Sequence, residues 1–213
     1  MMVERVGRFL IVRFDETVRG LSWAITGGGF CHTRLVAWFH VRYEELGPGR
    51  DAAHLMRTRL REEGLSGAVG LMTAAYLDGY EDVQASEGQT LVRSIATVGL
   101  SNALAIGDPP TAHNGAGTVN LLCHIHVPLS RGAMVEALSL ATEARTAAFM
   151  ETGVKSTCSG RGATGTGTDC IVITAPLGRG GERYVGKHTP IGSLVGRTVK
   201  EAVLRGIQAR LHG

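Results

Sequence analysis

The chain has 213 residues, of which 44% are apolar and 5% aromatic, and it carries 30 glycines. A domain of that length buries roughly 70% of the surface its unfolded chain exposes, so one core resting on Val, Leu, Ile and Ala is expected, with many turns. A formal charge of +3, with bases and acids interleaved, argues against a nucleic-acid footprint, and no apolar run approaches the roughly 18 residues that a membrane span needs.

In chain order, Glu4 and Arg5 precede a short Phe9 to Val12 run, which is not the layout of a signal peptide, and a cytoplasmic protein is expected. Residues 8–14 and 21–26 read as strands joined by a polar turn at Asp15 and Glu16, and 33–41 as a third strand after the Gly27, Gly28, Gly29 triplet. A helix is predicted from about Asp51 to Glu63, with Ala53, Met56 and Leu60 on one face and Gly64 as its stop. Its Arg57, Arg59 and Arg61 are followed at once by Glu62 and Glu63, as on a solvated face. Strands are predicted near 68–76, 90–100 and 117–127. The next helix has Ser130 as cap, a stripe of Met134, Leu138, Ala141 and Ala148, and Gly153 just past its end. A strand over 169–175 ends at Pro176. The last helix starts with Thr189 as N-cap and Pro190 at its first position, buries Ile191, Val195, Val199, Ala202 and Ile207, and ends among Arg205, Arg210 and His212. This order lacks the strict alternation of a doubly wound sheet, so the expected fold is α+β: a single-domain sandwich with a mixed or largely antiparallel sheet and about three main helices.

Cys31, Cys123, Cys158 and Cys170 are widely spaced with no C-x-x-C pair, and read as small packing residues. The G-x-G-x-x-G string at Gly160, Gly162 and Gly165 leads into a strand, where a dinucleotide site needs it to open a helix. Gly181 to Lys187 has Walker A spacing, but His188 stands where the magnesium-binding hydroxyl belongs. His124 and His126, two apart on a strand, share a face as two metal ligands would, but no third ligand is nearby and no metal site is read. His32, His40, His54 and His113 carry no pattern.

Two segments carry chemistry. The loop from Ala163 to Asp169 alternates Gly165 and Gly167 with Thr164, Thr166 and Thr168, and its N-H groups, hydroxyls and carboxylate can surround a developing oxyanion. An ordinary tight loop with Asp169 bonded to its own backbone is the other reading. The segment Gly186 to Pro190 places His188 just before a helix N-terminus, whose dipole favours the neutral imidazole a general base requires. Gly192 and Gly196 leave a smooth helix face. Glu143, on a face with Leu140 and Ala147, is expected to be buried, where a carboxylate must pair or work.

Taken together, the motifs resemble those of the adenosylcobinamide amidohydrolase (CbiZ) family nearly end to end. They are the Gly27 to Gly29 triplet, Val69 to Ala74, Ser101 to Leu104 with Gly107 and Asp108, Gly117 to Asn120, Thr142 to Ala148, the Gly/Thr loop, and Tyr184 to Thr189 with Gly192 and Gly196. Arg145 stands where the family usually has Lys, and His124 and His126 stand where aliphatic residues or Asn are expected. The resemblance implies hydrolysis of the amide joining aminopropanol to the corrin ring of adenosylcobinamide, giving adenosylcobyric acid for cobalamin salvage. The corrinoid is then substrate and no cofactor is implied. Water would be activated by His188, Asp169 or Glu143, with N-H groups near Gly165 and Gly167, and Lys187, holding the oxyanion; Thr166 or Thr168 as nucleophile is the competing route. Substrate contacts are expected from Gly28, Gly29, Ser101, Asn102, Asn120, Gly165, Gly167, Thr189 and Gly192. A non-catalytic corrinoid-binding protein and a threonine-dependent amidase on other amides are the alternatives, and assembly as a homo-oligomer is left open.

Overall fold

The computed structural model describes residues 1–47, 49–110 and 117–212; His113 lies outside them. The elements in chain order are β1 (Met2–Val6), β2 (Phe9–Ser22), β3 (Gly29–His40), α1 (Ala52–Glu62), β4 (Val69–Thr73), β5 (Glu81–Glu87), β6 (Thr90–Val98), β7 (Ala103–Leu104), β8 (Val119–Ile125), α2 (Arg131–Thr152), β9 (Gly165–Thr166), β10 (Cys170–Pro176) and α3 (Pro190–His212). Eight strands form one mixed sheet in the order β4-β3-β2-β10-β8-β6-β5, with β1 beside β2, while β7 and β9 make a separate ladder. The β3/β4 and β10/β8 pairs are parallel. This is the expected α+β class with three helices and a mixed sheet, and no helix among the described residues is long and apolar enough to cross a membrane.

The two strands expected on either side of Asp15 and Glu16 are one. The register of β2 on β3 jumps from Arg13↔Leu35 to Val18↔Thr33, so Phe14, Asp15, Glu16 and Thr17 stand opposite Arg34 alone. Such a bulge bends a strand and raises its twist, and the polar residues here mark a corner, with the chain reversal displaced to 23–28. Before the corner β2 pairs with β1, and after it with β10.

That corner folds the sheet over itself. Three strands separate β4 from β8 in the sheet, yet Asn120 Nδ2 on β8 donates to the Met72 carbonyl of β4 at 2.7 Å. Leu10, Val12, Trp38 and Leu71 of one half share an inner core with Ile95, Leu122 and Val172 of the other. The alternate residues point outward. Phe9, Ile11 and Phe39 take Met56 and Leu60 of α1, whereas Ala96, Leu121, Ile171 and Ile173 take α2 and α3. Period-two alternation thus builds four layers: one helix, two sheet halves and two helices.

The helix ends follow their caps. Asp51 accepts from the Ala53 and His54 N-H groups and Ser130 from Ala133, and Gly153 closes α2 in the left-handed conformation at φ 69°. The unpredicted β1 and β5 are edge strands rich in Glu, Asp and Arg, a composition that discourages edge-to-edge pairing and hides the strand pattern. Burial pushes the thiols of Cys123 and Cys170 up to about 12, in keeping with their role as small packing groups.

His124 faces the inner layer, with Nδ1 at 2.9 Å from Thr174 Oγ1 and its ring 4.9 Å from Phe14 and 4.3 Å from His126. Burial, helped by the neighbouring His126, pushes the imidazole down to about 3. An unfolded His titrates near about 6.5, so between those values the unfolded chain binds a proton that the native chain refuses. Stability is therefore full above pH ~6.5 and falls toward pH ~3, with this residue contributing a slope of at most about 1.4 kcal/mol per pH unit. Urea midpoints measured from pH 7 to 4 should fall less steeply for His124→Gln than for the wild type; equal slopes would remove His124 as the cause.

Candidate active site

The Gly/Thr loop is assembled on a buried ion pair. Arg145 of α2 donates through Nη1 to Asp169 Oδ2, and the two side chains are only 12% and 7% exposed. The same nitrogen donates to the Thr164 carbonyl at 3.0 Å. Asp169 Oδ1 accepts from the Val119 N-H at 3.0 Å and from the Thr166 hydroxyl, and Oδ2 accepts from the Thr166 N-H at 3.0 Å besides Arg145. A buried carboxylate needs its lone pairs occupied. Here α2, β8 and the loop occupy them, so one side chain ties three parts of the chain together.

The glycines make room for this arrangement. A Cβ at Gly165 would lie 1.5 Å from Arg145 Nη1, and one at Gly167 would lie 2.9 Å from Asn102 Nδ2. β9 pairs with β7 through Thr166↔Ala103 and Gly165↔Leu104, and the Thr164 and Gly167 N-H groups donate to the Leu104 and Asn102 carbonyls at 2.9 and 3.1 Å. The loop is a braced ladder, and the Gly167 N-H expected to hold an oxyanion is already engaged. Asn102 Nδ2 is buried and has no hydrogen-bond partner among the described residues.

Asp169 lines two cavities. The first, about 690 Å³, has apolar walls that include Trp23, Tyr43 and Leu71 and a polar end formed by Asn120, Thr168 and Asp169, a size typical of small-molecule sites. Trp23 Nε1 donates to the Asp169 carbonyl at 2.6 Å and the Thr118 hydroxyl to the Thr168 carbonyl at 2.9 Å, which fixes this end. Cys170 also lines it, but its raised titration leaves a neutral thiol at pH 7. The second cavity, about 530 Å³, is lined by Ile106, Thr142, Arg145, Gly165, Thr166 and Gly167 among others. Beside it, Asp108 accepts from the Ser156 hydroxyl, from Arg161 and from the Ala105 N-H. The Ser156 and Ser159 hydroxyls and the Arg161 guanidinium hold its carboxyl well below the usual range.

The remaining expected residues lie elsewhere. Glu143 is not buried: its side chain is 57% exposed and pairs with the exposed Lys187. His188 is exposed and, like Glu143 and Lys187, lines neither cavity. Thr189 works as a cap, donating to the Gly186 carbonyl and accepting from the Gly192 N-H at 3.0 Å. Gly192 admits backbone, since a Cβ there would lie 2.2 Å from the Gly186 carbonyl oxygen. Gly28 lies in the β2–β3 reversal, Gly29 opens β3 and Ser101 is exposed beside Gly117, and none of them lines either cavity. Of the Walker-like segment, the Val185 N-H is taken by Glu136. The described residues contain no group of three or more His, Cys, Asp or Glu placed to hold a metal ion. Sequence reasoning missed Trp23, Tyr43 and Leu71 as cavity residues; the available signal was a Trp, one of two in the chain, four residues before the Gly27 to Gly29 triplet.

Fold and site define a single-domain α+β protein built around an apolar cavity that ends at a braced, buried carboxylate. Residues 2–212 match the adenosylcobinamide amidohydrolase family, CbiZ, and the chain belongs to it. It is 31% identical to an adenosylcobinamide amidohydrolase of Halobacterium salinarum over 122 residues, 54% of this chain and 49% of that protein. It is 40% identical to an uncharacterized protein of Methanocaldococcus jannaschii over 92 residues, 43% of this chain and 36% of that protein. The chain thus spans about half or less of the curated relatives it matches. Among solved structures, the PH0078 protein from Pyrococcus horikoshii covers 94% of this chain, and 78% of itself, at 8% identity and a TM-score of 0.48.

Removing one partner of a buried ion pair strands the other charge, at a cost of about 3–5 kcal/mol. Asp169→Asn and Gly165→Ala, the second by displacing Arg145, should each lower stability on that scale in urea unfolding. Their effects should fall well short of additive in the double variant, because both act through Arg145. Full additivity would separate the glycine from the ion pair.

Proposed function

We propose that the chain hydrolyses the amide linking aminopropanol to the corrin ring of adenosylcobinamide, yielding adenosylcobyric acid and aminopropanol, as a cytoplasmic step of cobalamin salvage. The observation that carries this is the family match over residues 2–212. The large apolar cavity with one polar end supports it, since broad apolar walls suit a macrocycle and Asn120, Thr168 and Asp169 offer hydrogen bonds to its amide arms.

Chemistry is best assigned to Asp169, which lines both cavities, and Thr166, which lines the second, with the corrin in the first cavity and its amide arm reaching past Asp169 into the second; the exposed His188 and Glu143 line neither. The Asp169 carboxylate accepts four hydrogen bonds, from Val119, Arg145 and the N-H and hydroxyl of Thr166, and among these donors the Thr166 hydroxyl is the one that can itself attack a carbonyl. This favours the covalent route over direct attack by water. Thr166 Oγ bonds to the amide carbon as its proton passes to Asp169, and the C-N bond then breaks as that proton leaves on the amine. Water then attacks the acyl carbon of the threonyl ester; the C-O bond to Thr166 breaks as a proton from that water passes to Thr166 Oγ, which releases the free carboxylic acid.

Incubation with adenosylcobinamide and mass analysis of the products tests the reaction: release of aminopropanol is expected, whereas binding without release would favour a corrinoid-binding protein. Thr166→Val should lower kcat/KM by at least about 10²-fold, while His188→Ala and Glu143→Gln should each change it by less than about tenfold. A corrinoyl adduct on Thr166, seen by intact mass after rapid quenching, is expected. Full activity in Thr166→Val would return the role to an activated water.

A further inference from the structure

Away from Asp169, a separate cavity of about 420 Å³ opens between the β2–β3 hairpin and the start of α2, lined by Arg19, Phe30, Cys31, His32 and Arg131. The strand register explains the grouping. Arg19 stands opposite His32 and Leu21 opposite Phe30, and Leu21 packs into the core that α2 covers. Residues two apart on a strand share a face, so Arg19, Phe30 and His32 all project toward the beginning of α2.

Both guanidinium groups are held in place before any ligand arrives. Arg19 Nη1 donates to the Leu129 carbonyl at 2.9 Å, and Arg131 lies over the Phe30 ring with 4.4 Å from its central carbon to the ring centroid. Among the described residues no carboxylate lines the cavity. Among the described residues neither arginine, nor His32, forms an ion pair, and the first turn of α2 carries no acid. Two fixed cations around one concavity repel each other until an anion enters. A guanidinium fork matches the oxygen spacing of a phosphate, and groups already ordered lose little freedom on binding.

We propose that this cavity binds a phosphate-type oxyanion, gripped between Arg19 and Arg131, with Phe30 and His32 completing the wall. The anion is either free phosphate or the phosphate of an aromatic ester whose ring meets Phe30. Titration calorimetry at constant ionic strength, with sodium chloride as the balancing salt, tests this with inorganic phosphate and with phenyl phosphate. Saturable binding is expected, weakened at least tenfold in Arg131→Gln and in Arg19→Gln. Arg131 is exposed, so its variant decides the matter even where loss of the Leu129 contact unfolds the other. Tighter binding of phenyl phosphate that Phe30→Leu abolishes identifies an ester, and equal affinities identify the free ion. Absence of saturable binding, or affinities unchanged in Arg131→Gln, overturns the proposal.

Discussion

The buried pair of Arg145 and Asp169 is the contact on which the rest of the site depends. Taking both charges out of water is costly, and the attraction between them compensates only where every remaining donor and acceptor is also met. That condition dictates the surroundings. Gly165 lacks a side chain so that the guanidinium can reach the carboxylate, Thr164 turns its carbonyl toward Arg145, and Val119 and Thr166 aim N-H groups at Asp169. The beginnings of β8 and β10, the β7–β9 ladder and the middle of α2 are consequently held in one geometry.

The corner in β2 supplies the second constraint. Had the sheet stayed open, its inner face would need a helix layer of its own. Because Phe14 to Thr17 bend the strand, β3 and β4 fold over β8 and β10 instead, and the two halves cover each other. The twist of each half sets the two layers at an angle to one another. They close around Trp38 and Leu122 and part near the ends of β4, β8 and β10, leaving a cavity with Leu71 on one wall and Asn120 and Asp169 on the other.

How much of this was legible in the sequence varies with the kind of signal. The helices were, because Asp51, Ser130, Gly153 and Thr189 are local caps whose meaning needs no tertiary context. Central strands were, because they are apolar runs. The edge strands β1 and β5 were not, since an edge is kept polar for solubility, and Asp15 and Glu16 read equally well as turn or bulge until the partner strand is known. Glu143 failed for a related reason. Ala and Leu recur around much of α2, so the helical period does not single out a buried face, and Leu140 and Ala147 prove to be half-buried and exposed. The Gly/Thr loop was found, but its glycines suggested mobile donors; that they accommodate Arg145 and Asn102 depends on residues distant in sequence.

In the proposed hydrolysis, a carboxylate braced this fully would be an unusual chemical centre. To act on a free water, Asp169 would have to release Val119, Arg145 or a Thr166 group, and each release uncovers a buried donor. Moving a proton along the existing Thr166 contact uncovers none, because the hydrogen bond persists with its polarity reversed. Protonation does weaken the attraction to Arg145, and that loss opposes the transfer. The opposition is smallest when the transferred proton moves on at once to a departing amine, which ties collapse of the tetrahedral species to recovery of the ion pair. The same interaction that fixes the fold thus favours a route in which Asp169 holds the proton only briefly.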